Sequence, residues 1–573
     1  MSVRQRLTLT LARRHAPAIL TALGLTGLLA GCSLPPMPER TPSHAISAEA
    51  SAQTHLGQAL APLQQQHPNL TGIYPLADAY AAFAARALLA RAAQSTLDVQ
   101  YYIWRNDTTG HLLLDELLRA ADRGVRVRLL LDDGGTSGMD ALLAALDQHP
   151  QLEVRLFNPF AQRTPKFLGY VTDFSRTQRR MHNKGFTVDG QAAIVGGRNI
   201  GDEYFAASDG VLFADLDVVA VGTVVHDIGR EFDRYWNSAS AYPASSVLPA
   251  MPESAVAKAH QSLHTEATRP EAQAYVNAVA HSAFSRDLLS GKLALSWAPT
   301  TLVSDDPDKV LSKAAPKDLM IAQLPPAIGQ AQKQLDLVSP YFVPTDAGVQ
   351  AFTALRQQGV RVRILTNSLE ATDVGAVHAG YEKYRKPLLE QGVELYEMRR
   401  QLDLHPKALH GQPQEKVAHE AALDAAPGAV LETGDNKAER RQPPSPAAIG
   451  SGSGSMVRGS SGASLHAKTF AVDGERLFVG SFNFDPRSVM LNTEQGLVIH
   501  HAGLTQLVSG SLDQYLPYLA YRVQLDEQQK LSWTAQDIKP PHAQQVFSKE
   551  PGTSWLQRTT IKILGWLPLE GLL

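Results

Sequence analysis

Apolar and polar positions follow the same order twice along the chain. In the first copy, residues 97–103 alternate in polarity and are rich in aromatic and β-branched side chains, which predicts a strand. An apolar stripe with helical spacing comes next, formed by Leu112, Leu113, Leu117, Leu118 and Ala121. Gly124 then stands where a helix typically ends, and residues 125–131 predict the following strand.

The second copy repeats this order. Its predicted elements are a strand at 335–338, a helix at 347–357, the glycine Gly359 and a strand at 360–365. A third strand is predicted in each copy, at 153–157 and 393–396. Alternation of strands and helices predicts an α/β fold of two pseudo-twofold-related domains, each a mostly parallel mixed sheet flanked by helices. Ligand sites in such sheets lie at the carboxyl ends of the strands.

The two copies set the expected domain boundaries. The first domain is expected over residues 71–310 and the second over residues 311–525. Residues 402–463, inside the second domain, are polar, contain a proline cluster and finish in a glycine–serine run. Such a composition cannot bury a core, so a flexible insertion is predicted there.

The C-terminal segment, residues 526–573, contains an amphipathic stretch. Its apolar members are Trp555, Leu556, Ile561, Ile563, Leu564, Trp566 and Leu567. Arg558 and Lys562 stand among them, and Pro568 follows. The pattern predicts either a helix that lies in a membrane interface or a terminal helix docked on the core.

The first 32 residues are typical of a targeting segment. Four arginines within residues 4–14 precede an uncharged run from Ala18 to Gly31. Such a run spans only about 21 Å as a helix, against a hydrocarbon core of about 30 Å. The run closes on Leu29-Ala30-Gly31-Cys32-Ser33, which resembles the bacterial lipobox, whose cysteine is acylated. We therefore expect a lipoprotein signal peptide over 1–32, lipidation of Cys32 and a linker over 33–70; the alternative is an uncleaved membrane anchor.

Composition narrows the function classes. The 573 residues include 53 Lys+Arg against 56 Asp+Glu, a formal net charge of −3. No global basic excess points to nucleic acid, so none is expected as a partner. Cys32 is the single cysteine, which excludes an intramolecular disulfide and a cysteine-rich zinc site.

Each half carries the same chemistry-bearing motif. The first motif comprises His182, Lys184, Asp189, Gly196 and Asn199, and the second His466, Lys468, Asp473, Gly480 and Asn483. The offsets from histidine are +2, +7, +14 and +17 in both copies. One such motif is weak evidence of a site, but two with four matching offsets are strong. Because residues two apart on a strand face the same side, histidine and lysine of each copy are expected to share one face.

This set of side chains suits a phosphodiester. One histidine is expected to attack phosphorus, while the other protonates the leaving alkoxide and then deprotonates the incoming alcohol. The lysines and the amides of Asn199 and Asn483 are expected to stabilise charge on the non-bridging oxygens. Because the protein itself supplies this positive charge, neither a metal nor another cofactor is expected.

Four carboxylates accompany the histidines. Glu494 and Asp215 are the candidates for orienting the imidazoles, but the sequence leaves open which carboxylate serves which histidine. Asp189 and Asp473 are candidate catalytic residues by their place in the motif. Each precedes a glycine, however, so a role in forming a turn is the favoured alternative.

The duplicated motif resembles the phospholipase D superfamily. Residues 196–204 and 483–488 are similar to its bacterial cardiolipin synthase branch, and residues 97–104, 172–176 and 341–345 to the C-type enzymes of that branch. The similarity covers most of residues 70–573, and the lipobox leader and the insertion at 402–463 depart from it. The resemblance implies a phosphatidyltransferase in which His182 is the nucleophile and phosphatidylglycerol is the donor and acceptor, with phosphatidylethanolamine as an alternative co-substrate.

Two other functions remain open at this stage. A hydrolase of the same fold, acting on lipids or less plausibly on nucleic acid, would use the same residues. A non-catalytic envelope scaffold would be expected to have lost a motif histidine or lysine, and neither is lost.

Arg176, Arg179 and Arg180 are candidates for holding lipid phosphate, with a solvated basic loop as the alternative. We expect a monomer with an internal pseudo-dimer, at the membrane surface on the periplasmic side of a bacterial envelope. Ser33, rather than aspartate, follows the cysteine, and the resemblance to Gram-negative lipoproteins then implies the outer membrane.

Overall fold

The structure is a computed structural model that describes residues 34–207, 211–290, 292–400, 462–537 and 542–567. The predicted signal peptide with Cys32, nearly all of the predicted insertion and the residues after 567 lie outside this part of the chain. Residues 462 and 463 belong to a strand, so the predicted insertion ends two residues earlier than expected.

The strands occur in two groups along the chain. They are β1 (Thr71–Leu76), β2 (Thr96–Tyr101), β3 (Arg126–Asp132), β4 (Leu152–Phe157), β5 (Gly185–Val188), β6 (Ala192–Gly196), β7 (Val211–Ala214), β8 (Asp217–Gly222), β9 (Ala241–Pro243), β10 (Ser296–Ala298), β11 (Thr300–Ser304), β12 (Gln334–Val338), β13 (Arg361–Asn367), β14 (Glu394–Met398), β15 (Gly462–Leu465), β16 (Thr469–Val472), β17 (Arg476–Gly480), β18 (Gln495–His500), β19 (Ala520–Leu525), β20 (Leu531–Gln536) and β21 (Gln544–Phe547). All the strands predicted from the pattern are confirmed, with ends shifted by one or two residues.

Helices separate many of these strands. They are α1 (Ala48–Ala52), α2 (His55–Gln66), α3 (Ala79–Ala92), α4 (Thr108–Asp122), α5 (Asp140–Leu146), α6 (Phe167–Thr172), α7 (Phe174–Thr177), α8 (Thr223–Trp236), α9 (Ala244–Val247), α10 (Ala255–Ala267), α11 (Pro270–Ala280), α12 (Ala283–Leu289), α13 (Met320–Ile328), α14 (Thr345–Gln357), α15 (Gly375–Glu382), α16 (Arg385–Glu390), α17 (Pro486–Met490), α18 (Ala502–Leu519) and α19 (Trp555–Gly565). Gly124 and Gly359 follow α4 and α14 with φ of 89° and 85°, a conformation that glycine adopts without strain.

Two mixed sheets with the same internal order form the body of the molecule. In the described residues the first sheet runs β10-β1-β8-β6-β5-β2-β3-β4-β9 and the second runs β11-β18-β17-β16-β12-β13-β14-β19-β20-β21. The stretch β8-β6-β5-β2-β3-β4 corresponds to β18-β17-β16-β12-β13-β14, which is the predicted pseudo-twofold repeat. The α/β fold of two related domains is confirmed.

The sheets contain fewer parallel pairs than expected. Among the described residues of these two sheets, β2, β3 and β4, and likewise β12, β13 and β14, pair in parallel, whereas the other neighbours are antiparallel. The reason is the turn after each motif strand. Asp189-Gly190 and Asp473-Gly474 all have positive φ, which closes tight hairpins, and a hairpin can join only antiparallel strands.

The interface between the halves is apolar. Ala193 and Val195 of β6 pack in one buried cluster with Ala471, Leu477 and Val479 from the second sheet. Because this cluster lies beside both motif hairpins, it holds the two motifs against each other.

The domain boundaries differ from the predicted ones. Ser296–Ala298 belongs to the first sheet and Thr300–Ser304 to the second, so the chain crosses between them near Pro299 and not at residue 310. Strands β20 and β21 extend the second sheet, so the second domain continues past residue 525 into the predicted C-terminal segment.

Residues 34–70 do not form the expected linker. The guanidinium of Arg40 donates to the carbonyl oxygens of Asn237, Ser238 and Ala241, at the end of α8. The hydroxyl of Ser51, in α1, donates to the carbonyl oxygen of Asp189 at 2.6 Å. Composition alone suggested a linker, but these polar side chains are used to bind backbone groups of the first domain.

Candidate active site

The two motif histidines each bond to a carboxylate from the opposite half of the molecule. Nδ1 of His182 lies 2.8 Å from Oε2 of Glu494, and Nδ1 of His466 lies 2.5 Å from Oδ2 of Asp215. When its carboxylate is ionised, each imidazole carries its proton on Nδ1, because an ionised carboxylate only accepts hydrogen bonds. The lone pair is then on Nε2, and Nε2 of His466 lies 3.4 Å from Nζ of Lys468.

Backbone pairing between the halves builds this crossed arrangement. The N–H of His182 donates to the carbonyl oxygen of Thr493 at 2.9 Å, directly before Glu494. Likewise, the N–H of His466 donates at 2.7 Å to the carbonyl oxygen of Ala214, the residue directly before Asp215. In the second case β15 and β7 form a small parallel sheet that leads into the contact. In each pair, the residue before the carboxylate is hydrogen-bonded to the backbone of the histidine, and this bond positions the carboxylate beside the imidazole.

The residue before each histidine is held by the end of a central strand. The N–H of Met181 donates to Oδ2 of Asp132 at 2.8 Å, and the N–H of Leu465 donates to Oδ1 of Asn367 at 2.9 Å. Asp132 and Asn367 are the last residues of β3 and β13, the carboxyl ends at which a site was expected. Sequence analysis did not single them out, although the position after a central strand was the available signal.

Two buried lysines accompany the histidines. Nζ of Lys184 donates to the carbonyl oxygen of His182 at 2.6 Å, and Nζ of Lys468 lies 2.9 Å from Nδ1 of His466. Burial holds the pKa of Lys184 well below its usual range and lowers that of Lys468 to about 8. Removing an ammonium group from water is costly, so these cations favour an anionic ligand beside them.

The two orienting carboxylates have different surroundings. Glu494 accepts hydrogen bonds from the hydroxyls of Ser481 and Ser488, yet burial raises its pKa to about 7. For Asp215, burial acts in the same direction, but His466 and Lys468 outweigh it and lower the pKa. Asp215 therefore remains the more strongly ionised partner. Ser481 directly follows Gly480 of the second motif, but it was not predicted to take part.

Both imidazoles are neutral in the free protein. Burial, followed by the charges of Lys184 and Lys468, lowers the pKa of His182 well below its usual range. Burial and Lys468 lower the pKa of His466 to about 3. Aromatic edges fix both rings: Tyr102 packs on His182 at 5.0 Å and Tyr204 on His466 at 5.1 Å between centroids.

The two motif asparagines are placed differently. Asn199 is engaged by the protein, since Oδ1 accepts from the N–H of Ile103 and Nδ2 donates to the hydroxyl of Tyr204. Asn483 is 3% exposed, and its Oδ1 has no hydrogen-bond partner. Both lie near the end of the motif hairpin, but only the Asn483 amide has an unused polar atom.

Asp189 and Asp473 lie outside the histidine cluster, which corrects their place among the candidate catalytic residues. The Asp189 carboxylate accepts from the N–H groups of Gln94, Ser95 and Thr96, at the far end of β5 from His182. Asp473 accepts equivalent bonds from Gln332, Lys333 and Gln334. A motif strand of four residues spans about 13 Å, which keeps these carboxylates away from the imidazoles. The turn-forming alternative describes their contacts.

The three arginines before His182 are bonded within the protein. Arg176 binds Asp173 and Asn158, Arg180 binds Asp132, and Arg179 donates to the carbonyl oxygen of Lys309. Arg176 and Arg180 each retain a buried Nη2 without a partner. These contacts are not those of a solvated basic loop.

Comparisons with known proteins agree with this architecture. A family model described as "Cardiolipin synthase, PLD-like domain" matches residues 87–236, 324–414 and 444–516. Cardiolipin synthase C of Escherichia coli (strain K12) is 44% identical over 521 residues, covering 90% of this chain and 99% of that protein. An uncharacterised protein of Helicobacter pylori (strain ATCC 700392 / 26695) is 29% identical, covering 81% of this chain and 82% of its own length.

A solved structure shares the fold at low sequence identity. The crystal structure of phosphatidylserine synthase from Haemophilus influenzae Rd KW20 matches with a TM-score of 0.50 and 15% identity, covering 88% of this chain and 96% of that chain. The paired sheets, each with a histidine–lysine motif, thus define a protein of the phospholipase D class. The chain belongs to the cardiolipin synthase family of that class, and it is a phosphatidyltransferase.

Proposed function

We propose that this enzyme transfers a phosphatidyl group from one phosphatidylglycerol to another through a covalent intermediate on His182, giving cardiolipin and glycerol. The observation that carries the proposal is the pair of buried imidazoles, each with Nδ1 bonded to a carboxylate from the opposite half. A phosphodiester brings the negative charge that Lys184 and Lys468 favour.

In the first step, Nε2 of His182 attacks phosphorus. When the anionic lipid binds, Nε2 of His466 takes up a proton from solvent. A nitrogen–phosphorus bond then forms at His182 while the bond to the glycerol oxygen breaks, and the His466 imidazolium gives that oxygen its proton. In the second step, a hydroxyl of another phosphatidylglycerol gives its proton to His466 and attacks phosphorus. His182 then leaves, and both imidazoles return to their starting state.

The unequal carboxylates support this division of roles. A nucleophile must be neutral, and Glu494, whose pKa is raised, gives only weak support to a charged His182. A general acid must be charged before it acts, and the strongly ionised Asp215 favours an imidazolium at His466. In the free protein burial and Lys468 hold the pKa of His466 low. The negative charge of a bound phosphodiester opposes this and raises the pKa, so the imidazolium forms when the substrate binds.

Two phospholipids are candidates for the second substrate. The resemblance to the cardiolipin synthase branch implies phosphatidylglycerol as donor and acceptor. The resemblance to its C-type enzymes implies phosphatidylethanolamine as an alternative co-substrate, which would release ethanolamine. Both routes exchange one phosphodiester for another, so no nucleotide-activated lipid is required.

Product analysis with the purified enzyme and phosphatidylglycerol vesicles tests the reaction. We expect cardiolipin and glycerol in equal amounts, reversal by added glycerol, and no change on adding a chelator or CDP-diacylglycerol. Phosphatidic acid as the sole product would assign a phospholipase D-type hydrolase instead. A requirement for CDP-diacylglycerol or a divalent ion would contradict the covalent-histidine mechanism.

We also propose that the enzyme works at a bacterial membrane as a lipoprotein acylated on Cys32, facing the periplasm. The lipobox-like residues 29–33 support this, and no helix within the described ranges is long and apolar enough to cross a bilayer. Radiolabelled palmitate is expected to enter the wild-type protein but not Cys32→Ser. Absence of label from the wild type would contradict the proposal.

A further inference from the structure

Helix α19 has two apolar faces, and the protein covers only one of them. Ile561 and Leu564 pack against Leu369 and Ala379, so the helix is docked on the second domain next to α15. Trp555, Leu556, Ile563 and Trp566 remain 71%, 60%, 52% and 84% exposed. Isolated exposed apolar side chains are common on proteins, but a cluster that includes two tryptophans indicates a binding surface.

The exposed side chains lie on one side of the helix. At about 100° per residue, Trp555, Leu556, Ile563 and Trp566 fall within about 100° of one another, and the docked Ile561 and Leu564 lie beyond this sector. Arg558 and Lys562 border the bare face, and residues 555–567 contain no acidic side chain. Tryptophan beside cations is the composition of a helix that lies at a lipid headgroup boundary.

The docking site of this helix is connected to the active site. Leu369, which packs under α19, stands two residues after Asn367, whose side chain holds the residue before His466. Asp373, just before α15, accepts a hydrogen bond from the Tyr341 hydroxyl at 2.8 Å. A surface that meets lipid here would lie on the same segment that supports the second motif.

We propose that the face formed by Trp555, Leu556, Ile563 and Trp566 inserts into the interface of an anionic phospholipid bilayer and presents the active site to its lipid substrates. The proposal rests on the phosphatidyl transfer proposed above, because a lipid substrate is what makes a bilayer the occupant of this face. Arg558 and Lys562 then lie at the depth of the anionic headgroups, to which their charge is complementary.

Tryptophan fluorescence provides a local test. The other four tryptophans, Trp104, Trp236, Trp297 and Trp533, are buried or half-buried, so a quencher in the bilayer reaches chiefly Trp555 and Trp566. The full chain is mixed with phosphatidylglycerol vesicles that contain acyl-chain-brominated phosphatidylcholine. We expect quenching in the wild type, little quenching in Trp555→Gln/Trp566→Gln, and wild-type quenching in the control Leu288→Ser/Ile321→Ser, which changes exposed apolar residues elsewhere.

The lipid charge and the activity supply further readouts. Arg558→Gln/Lys562→Gln is expected to weaken quenching on phosphatidylglycerol vesicles severalfold and to have little effect on vesicles of phosphatidylcholine alone. Trp555→Gln/Trp566→Gln is expected to lose activity on vesicles but to keep it on detergent-dispersed phosphatidylglycerol. Equal quenching in the wild type and the tryptophan variant would overturn the proposal. It would also be overturned if the wild type were a dimer in solution and Trp555→Gln/Trp566→Gln were a monomer. Failure of the wild type to make cardiolipin in detergent would instead contradict the proposed reaction, and quenching would be unaffected.

Discussion

At the scale of single residues, the two motifs are similar in sequence but different in electrostatics. His182 faces Glu494, which is held by two serine hydroxyls and has a raised pKa, whereas His466 faces the strongly ionised Asp215. Near-identical motifs can therefore supply one nucleophile and one acid–base group, because their partners differ.

We expect His182→Ala and His466→Ala each to lower turnover by about a thousandfold or more, since each removes a group that acts directly on the reacting bonds. Phosphatidylglycerol turnover and circular dichroism are the measurements, with the exposed His226 changed to alanine as control. In His466→Ala, a substrate with an activated leaving group is expected to leave a phosphoryl label on His182. A label on His466 in the wild type would reverse the assigned roles.

The pH dependence is expected to have two limbs. Activity rises as pH passes about 7, where Glu494 loses its proton and can accept the bond from His182, and it falls above about 8, where Lys468 loses its charge. The kcat/KM profile of the purified enzyme measures both limbs. Because a bound phosphodiester raises the pKa of Lys468, the alkaline limb of kcat is expected at higher pH than that of kcat/KM. A rate that is flat between pH 6 and 9 would contradict this account.

Ser488→Ala is expected to move the acid limb to higher pH. The Ser488 hydroxyl donates to Oε1 of Glu494 at 2.8 Å, and loss of a bond to the charged form raises the pKa of a carboxyl group. The readout is the kcat/KM profile, which a merely structural role would lower without shifting. Ser511→Ala, whose hydroxyl binds only within α18, is the matched control.

At the scale of elements, the motif hairpins combine catalysis and folding. The histidine stands before each motif strand, and the aspartate closes the turn after it by accepting bonds from the backbone N–H groups that precede the neighbouring strand. The spacing of histidine and aspartate thus follows from the length of one strand, not from a shared chemical role.

Asp189→Ala is expected to lower the free energy of unfolding by about 2–3 kcal/mol, because buried N–H groups lose a charged acceptor. Activity per folded molecule should be largely kept. Denaturant melts and active-site titration measure the two effects. Asp473→Ala is expected to cost less, since two of its donors, on Gln332 and Lys333, are exposed. A large fall in kcat without loss of stability would return Asp189 to the catalytic residues.

At the scale of the whole molecule, the two halves of one chain pack together as the two subunits of a dimer would. Each half supplies a histidine and a lysine to one subsite and a carboxylate to the other, and the apolar β6–β17 interface fixes the two halves together. Neither half contains a complete histidine–carboxylate pair of its own motif.

A mixture of His182→Ala and His466→Ala proteins is therefore expected to stay inactive, since a functional site needs both histidines in one chain. The assay is cardiolipin formation at equal concentrations of the two variants, compared with a mixture of wild type and either variant. Recovery of a substantial share of wild-type activity would mean that sites are assembled between chains.

Three features of this protein are predicted from the sequence alone: the duplicated strand–helix order, the two motifs with their offsets, and the superfamily. These features are local, because strand alternation, helical stripes and motif spacing each depend on residues close together in the chain. Dependence on local sequence also explains the predictions that were wrong. Asp189 and Asp473 were grouped with the histidines by spacing, and residues 34–70 were taken as a linker from their composition.

The tertiary structure was needed to show which carboxylate bonds to which histidine. Glu494 meets His182 across 312 positions of sequence, and Asp215 meets His466 across 251. It also decided that Ile561 and Leu564 dock on the core while Trp555 and Trp566 remain bare. Pairings of this kind depend on how the two sheets pack and where the segments before Glu494 and Asp215 lie, and no local pattern of residues encodes a contact between such distant parts of the chain.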